Sequence, residues 1–160
     1  MRSSCTSRRL RATCAAAGFL CAFWFGATES QAFVLITAQE AALPNAAEEL
    51  EMRGVTRGPK ILVLSPAPDA GVVTSPVDLL LRFETYGGAA VDPLSVKVTY
   101  LKMPALNLTQ RIGTLITSRG IEVRSAEVPP GTHNIRVEIK DTAGRVGTVV
   151  FPLVVADLNR

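Results

Sequence analysis

His133 is the only histidine in the 160-residue chain, and therefore the only imidazole able to hold a metal or move a proton. All three cysteines, Cys5, Cys14 and Cys21, lie in the first 32 residues. One imidazole without a thiolate beside it cannot assemble the usual nitrogen and sulfur ligand set. His133 therefore reads as a packing residue, and neither a metal nor a cofactor is expected. A nucleophile needs a base within hydrogen-bond reach, and with His133 committed to packing no serine or threonine acquires one. Asp92, which precedes Pro93, and Asp141, which leads a reversal over residues 141–144, stand where turn carboxylates accept local backbone amides. Neither reads as half of the carboxylate pair that glycoside hydrolysis requires. Asn107-Leu108-Thr109 fits a glycosylation sequon, a three-residue match that recurs too often by chance to carry weight. Catalysis is not expected.

Residues 1–32 read as an export signal. Arg2, Arg8, Arg9 and Arg11 form a basic head, Cys14 to Ala27 an apolar run short of a comfortable bilayer span, and Ser30-Gln31-Ala32 a small-residue cleavage site before Phe33. Ser7-Arg8-Arg9 opens like a twin-arginine signal, but Arg11 and Ala12 stand where that signal prefers apolar residues, which favours the general route. Phe19-Leu20 before Cys21 do not fit a lipoprotein anchor. An uncleaved anchor is the alternative, and it would leave the domain in the same compartment. The expected product is periplasmic or secreted, with no stable membrane insertion after cleavage. Four of the 17 Lys+Arg and one of the 14 Asp+Glu (Glu29) precede Phe33, leaving 13 of each in the mature chain. The basic balance of the whole chain thus belongs to the export head, and no nucleic-acid partner is expected. No disulfide can form either, although the compartment would permit one.

The stretch Val128 to Arg145 organises the rest of the mature chain. Pro129, Pro130 and Gly131 make a structural corner, because two locked φ angles and a permissive one stop any preceding element. His133, Ile135, Val137 and Ile139 then alternate with polar residues, the period of a strand with one buried face. After the reversal at residues 141–144, Val149, Phe151, Leu153 and Val155 share a face, and Pro152, which lacks an amide to donate, marks an edge strand. Upstream, Ile61 to Leu64 and Val77 to Phe83 read as strands, with Leu80 the one apolar residue in an outward position; Leu94 to Tyr100 reads as a third. Ile121 to Val128 reads as a further strand interrupted by an irregularity. Residues 33–59 form an Ala/Glu-rich leader expected to be flexible or partly helical, with candidate capping boxes at Thr37/Glu40 and Asn45/Glu48; the alternative is an arm that orders on a partner. The domain proper is expected over residues 60–156, with a tail at 157–160.

Ala105 to Gly120 is the least regular part. Asn107 can cap one helical turn over Thr109 to Arg111, or the apolar residues can belong to short edge strands; a turn followed by a strand at Gly113 to Thr117 is the favoured reading. Leu106, Leu108, Ile112, Leu115 and Ile116 exceed what one edge strand usually buries. They belong either to the core or to a partner-binding patch.

About seven strands at this spacing match an immunoglobulin-like antiparallel β-sandwich, an all-β fold. The stretches PKILVLSPAPDAGVVTSPVDLLLRF (Pro59 to Phe83) and PPGTHNIRVEIKDTAGRVGTVVFPLVV (Pro129 to Val155) resemble bacterial exported Ig-like and fibronectin-type-III-like modules, and more weakly the periplasmic copper-resistance (CopC-type) domains. The resemblance implies that His133 takes the place of an aromatic residue tying the corner to the strand. The copper-resistance domains imply ligand histidines near the mature N-terminus and in the last hairpin, where Phe33 and Thr142-Ala143-Gly144 stand. The expected function is a non-catalytic binding or structural module acting on a protein partner in the bacterial envelope. A small-ligand or copper carrier is the alternative, and an enzyme the third reading.

Overall fold

Residues 33–46 and 58–157 are described by the computed structural model. The expected export signal, residues 47–57 of the expected leader with Glu48 of the second capping box, and the tail beyond Asp157 lie outside the described residues.

Ten strands run through the described residues: β1 (Phe33–Val34), β2 (Lys60–Ser65), β3 (Val72–Val73), β4 (Val77–Glu84), β5 (Lys97–Tyr100), β6 (Leu106–Asn107), β7 (Ile116–Thr117), β8 (Gly120–Glu127), β9 (Gly131–Lys140) and β10 (Val146–Val155). Two single helical turns, α1 (Ala38–Ala41) and α2 (Thr109–Ile112), interrupt them. One sheet has the order β1-β8-β4-β2, with β7 also on β8; the other has the order β3-β10-β9-β5-β6. Both sheets are mixed, because β1 lies parallel to β8 and β3 parallel to β10. The strictly antiparallel sandwich expected from the sequence is corrected to that extent.

The core follows from the period-two patterns. Along β4, Val77, Leu79, Leu81 and Phe83 are buried and the residues between them exposed; along β9, His133, Ile135, Val137 and Ile139 are buried. The apolar members of these two inward rows meet, with Ile121, Val123, Val98 and Leu153, in one cluster drawn from both sheets. Full burial of such a side chain stabilises the fold by about 1.5–3 kcal/mol. The expected irregularity in β8 sits at Ser125, at φ 50°, whose amide donates to Asp78 Oδ1 at 2.8 Å beside a register shift between Val77 and Leu79.

Three expectations meet the structure here. Leu94 does not begin a strand: it is 95% exposed, because the Asp92 side chain accepts the Leu94 amide and Pro93 opens a 3-10 turn over Pro93–Ser95. Residues 33–46 of the leader pack against the domain and carry one helical turn, α1. β1 pairs with Ala126 and Glu127 of β8, the Leu35 amide donates to Glu127 O at 3.0 Å, and Leu35 and Ile36 are buried in the core. These two residues are adjacent, so they leave no periodic signal. Thr37 and Glu40 form the expected capping box at the start of α1.

The third concerns the apolar residues between Ala105 and Gly120, left open by the sequence between core and partner patch. Leu108 and Ile112 are fully buried, Leu106 and Ile116 pack partly buried against the core, and only Leu115 counts as exposed. The Leu108 amide donates to Val98 O, the Val98 amide donates to Thr109 Oγ1, and the Thr109 amide donates to Asn107 Oδ1, each at 2.8 Å. These bonds fasten the segment to β5 and turn Leu108 inward, and Ile112, one helical turn later, follows it.

Candidate functional site

β5 and β9 place Tyr100 opposite Ile135, and their inward rows bring Tyr100 against His133. Tyr100 Oη lies 2.7 Å from His133 Nδ1, and His133 Nε2 lies 2.8 Å from the Pro129 carbonyl oxygen. A carbonyl only accepts, so Nε2 carries the proton and donates to it, while Nδ1 accepts from the tyrosine hydroxyl. His133 is 1% exposed. Burial lowers its pKa, despite the bond to Pro129 O, and burial pushes Tyr100 up to about 12. Both nitrogens are engaged and the ring is closed to solvent, so the imidazole is a tie between the Pro129-Pro130-Gly131 corner and the sheet. It has no lone pair facing a substrate.

Lys102, two residues beyond Tyr100, continues the inward row and is 5% exposed. Its ammonium stands 5.4 Å from the Tyr100 ring centroid and donates to Ala41 O (2.9 Å), Leu43 O (2.9 Å) and Asn45 Oδ1 (2.7 Å). All three of its protons are therefore used. A second clasp holds the same segment: Arg111, on α2, donates to both carboxylate oxygens of Glu40 and, at 2.8 Å, to Leu35 O. Sequence reasoning missed Lys102, although the phase 96, 98, 100, 102 puts a lysine in an apolar row, which requires a partner set. Arg111 left no comparable signal.

The clasp has a pH dependence with a definite sign. The hydrogen bonds from Arg111 hold Glu40 down from an ordinary 4.5 to about 2. The unfolded chain takes up a proton near 4.5 that the folded chain refuses until about 2, so the stabilisation is complete above the ordinary value and lost progressively below it. Melting curves of the wild type and Glu40→Gln should differ most at neutral pH and converge as pH falls through that window. A constant difference across it would show that the ion pair contributes nothing.

An apolar groove of about 380 Å³ lies between β2 and β10, lined by Val63, Pro66, Val73, Val149, Phe151 and Leu153. At one end Gly58-Pro59 crosses onto β10, so close that a Cβ on Gly147 would lie 1.9 Å from Pro59 O. At the other, β3 pairs with Val154 and Val155. Among the described residues β2 pairs only with β4, so its outer edge borders the groove without a strand beside it. β10 likewise has only the two-residue β3 outside it, which makes it the sheet edge that Pro152 implied over most of its length.

Among the described residues no group of three or more His, Cys, Asp or Glu side chains gathers to hold a metal ion, and no helix is long and apolar enough to cross a membrane. No protein-family model matches the chain, and neither a curated protein nor a solved structure matches it.

Proposed function

We propose that the chain is an exported, non-catalytic Ig-like module, processed before Phe33, that binds an extended segment of another protein of the bacterial envelope. The strand orders β2-β4-β8 and β10-β9-β5 support the Ig-like reading, since they parallel the A-B-E and G-F-C orders of that fold. The observation that carries the functional reading is the outer edge of β2 lying beside an apolar groove. An added strand would gain backbone hydrogen bonds from the edge, while its alternate side chains would enter the groove beside Val63 and Phe151. The inward polar residues support the same reading: buried His133, Tyr100 and Lys102, and half-buried Arg111 and Glu40, spend their hydrogen bonds inside the domain. The surfaces are left to act.

Ala67 is exposed and lines the mouth of the groove, so Ala67→Arg obstructs it without touching the core. The variant should melt like the wild type and lose the protein that co-purifies with the wild type from envelope extract. In the wild-type complex, the Ile61 and Val63 amides should gain protection from hydrogen exchange. If Ala67→Arg keeps every partner, or those amides exchange unchanged in the complex, the reading is wrong.

A further inference from the structure

At the end of the first sheet remote from Pro66, a groove of about 440 Å³ is lined by Arg82, Phe83, Thr85, Val91, Ser118 and Arg119 among others. Its two arginines differ from three others of the domain. Arg111, Arg124 and Arg145 each pair with a carboxylate, whereas neither Arg82 nor Arg119 has a carboxylate partner among the described residues. The Thr85 and Ser118 hydroxyls likewise make no hydrogen bond there. Glu84, the nearest acid along β4, stands opposite Lys60 in the β2–β4 register.

Both walls of this groove are held by the fold. Ser118-Arg119 is the two-residue connection between β7 and β8, whose Thr117 and Gly120 pair. The Phe83 amide donates to Arg119 O at 2.8 Å, the Arg119 amide donates to Thr117 Oγ1 at 3.2 Å, and Arg82 faces Gly120 in the β4–β8 register. The opposite wall, residues 85–91, is fastened by Arg145 Nη2 donating to Tyr86 O at 2.9 Å and by the Thr142 amide donating to Ala90 O at 2.8 Å. Two guanidiniums and two hydroxyls without partners thus border one concave, preorganised place, in a mature chain whose overall charge balance is neutral.

We propose that this groove binds a phosphate-type oxyanion. Guanidinium forks match the paired oxygens of phosphate and form the stronger, charge-assisted class of hydrogen bond, and the hydroxyls supply further donors. The site is separate from the β2–β10 groove and independent of the partner assigned to it. The phosphate can be free or carried by a lipid headgroup, and two arms distinguish these sources. Inorganic phosphate titrated into isotopically labelled protein should give saturable NMR shifts at the Thr85, Ser118 and Arg119 amides, with chloride at matched ionic strength giving none. Co-sedimentation with phosphatidylcholine vesicles, with and without phosphatidic acid, reports the second source. Arg82→Gln with Arg119→Gln, both exposed positions, should leave the melting transition in place and weaken binding in whichever arm is positive by at least about tenfold. Binding to acidic vesicles alone assigns the phosphate to a headgroup. No response in either arm, or a response that the double variant retains, overturns the proposal.

Discussion

Val137→Asp is expected to abolish cooperative folding. Val137 is fully buried and sits in the centre of the second sheet, opposite Val149 of β10 and Val98 of β5. Its side chain points into the apolar cluster shared by both sheets, whose members among the described residues offer a carboxylate no cation. The aspartate must either stay charged without a partner or take up a proton and bury an incompletely bonded acid. Either outcome costs several kcal/mol, a large part of the roughly 5–15 kcal/mol that holds a typical domain together. Circular dichroism against temperature should show no sigmoidal transition. Lys97→Ala, at an exposed position on the outward face of β5, should shift stability by less than about 0.5 kcal/mol. Equal melting of the two variants would mean that the strand register is misassigned.

Gly120→Ala carries the other large effect, through backbone geometry. Gly120 begins β8 at φ +156°, at the border of the region that suits glycine, and a Cβ there would lie 2.0 Å from the Leu81 carbonyl oxygen. That oxygen belongs to the centre of β4, in register with β8, so it cannot swing aside as a side-chain tip would. Relief requires β8 to move off β4 at this end and to disturb the Phe83–Arg119 hydrogen bond. Combining overpacking with backbone strain gives a destabilisation of about 3–5 kcal/mol. Urea denaturation should show the midpoint falling with the slope unchanged. Gly144→Ala is the useful contrast: a Cβ there meets nothing within 4 Å, although φ is +77°, so only the smaller conformational cost of about 1–2 kcal/mol should appear. If Gly120→Ala were no worse than Gly144→Ala, the close contact with Leu81 would have no energetic consequence.

These two variants also separate what can be read along the chain from what cannot. Val137 is legible in the sequence because a strand buried on one face repeats every two residues, and the inward rows of β4 and β9 follow from that pattern alone. The Pro129-Pro130-Gly131 corner is legible for a similar reason: its backbone restrictions are properties of the residues themselves. So is the turn role of Asp141, which accepts the Ala143 and Arg145 amides at 3.0 and 2.9 Å, and the packing role of His133. Gly120 is different. Its requirement comes from Leu81, 39 residues away, and nothing in the local sequence announces it.

The same division runs through the surfaces. By itself the sequence determined a largely β chain with alternating strands and a set of apolar residues between Ala105 and Gly120 whose destination it left open. Tertiary structure decided that Leu108 and Ile112 go inward, because hydrogen bonds to Val98 fasten their segment to β5. It decided that Leu35 and Ile36 belong to the core, and that Lys102 and Arg111 hold residues 41–45 and Glu40. It also brought β2 beside β10, and Arg82 beside Arg119, to form the two grooves. Periodicity reports the environment of a residue relative to its own strand, since the pleat alone sets which side it faces. Which strands become neighbours depends on contacts between distant segments, and both candidate binding places are made of such contacts.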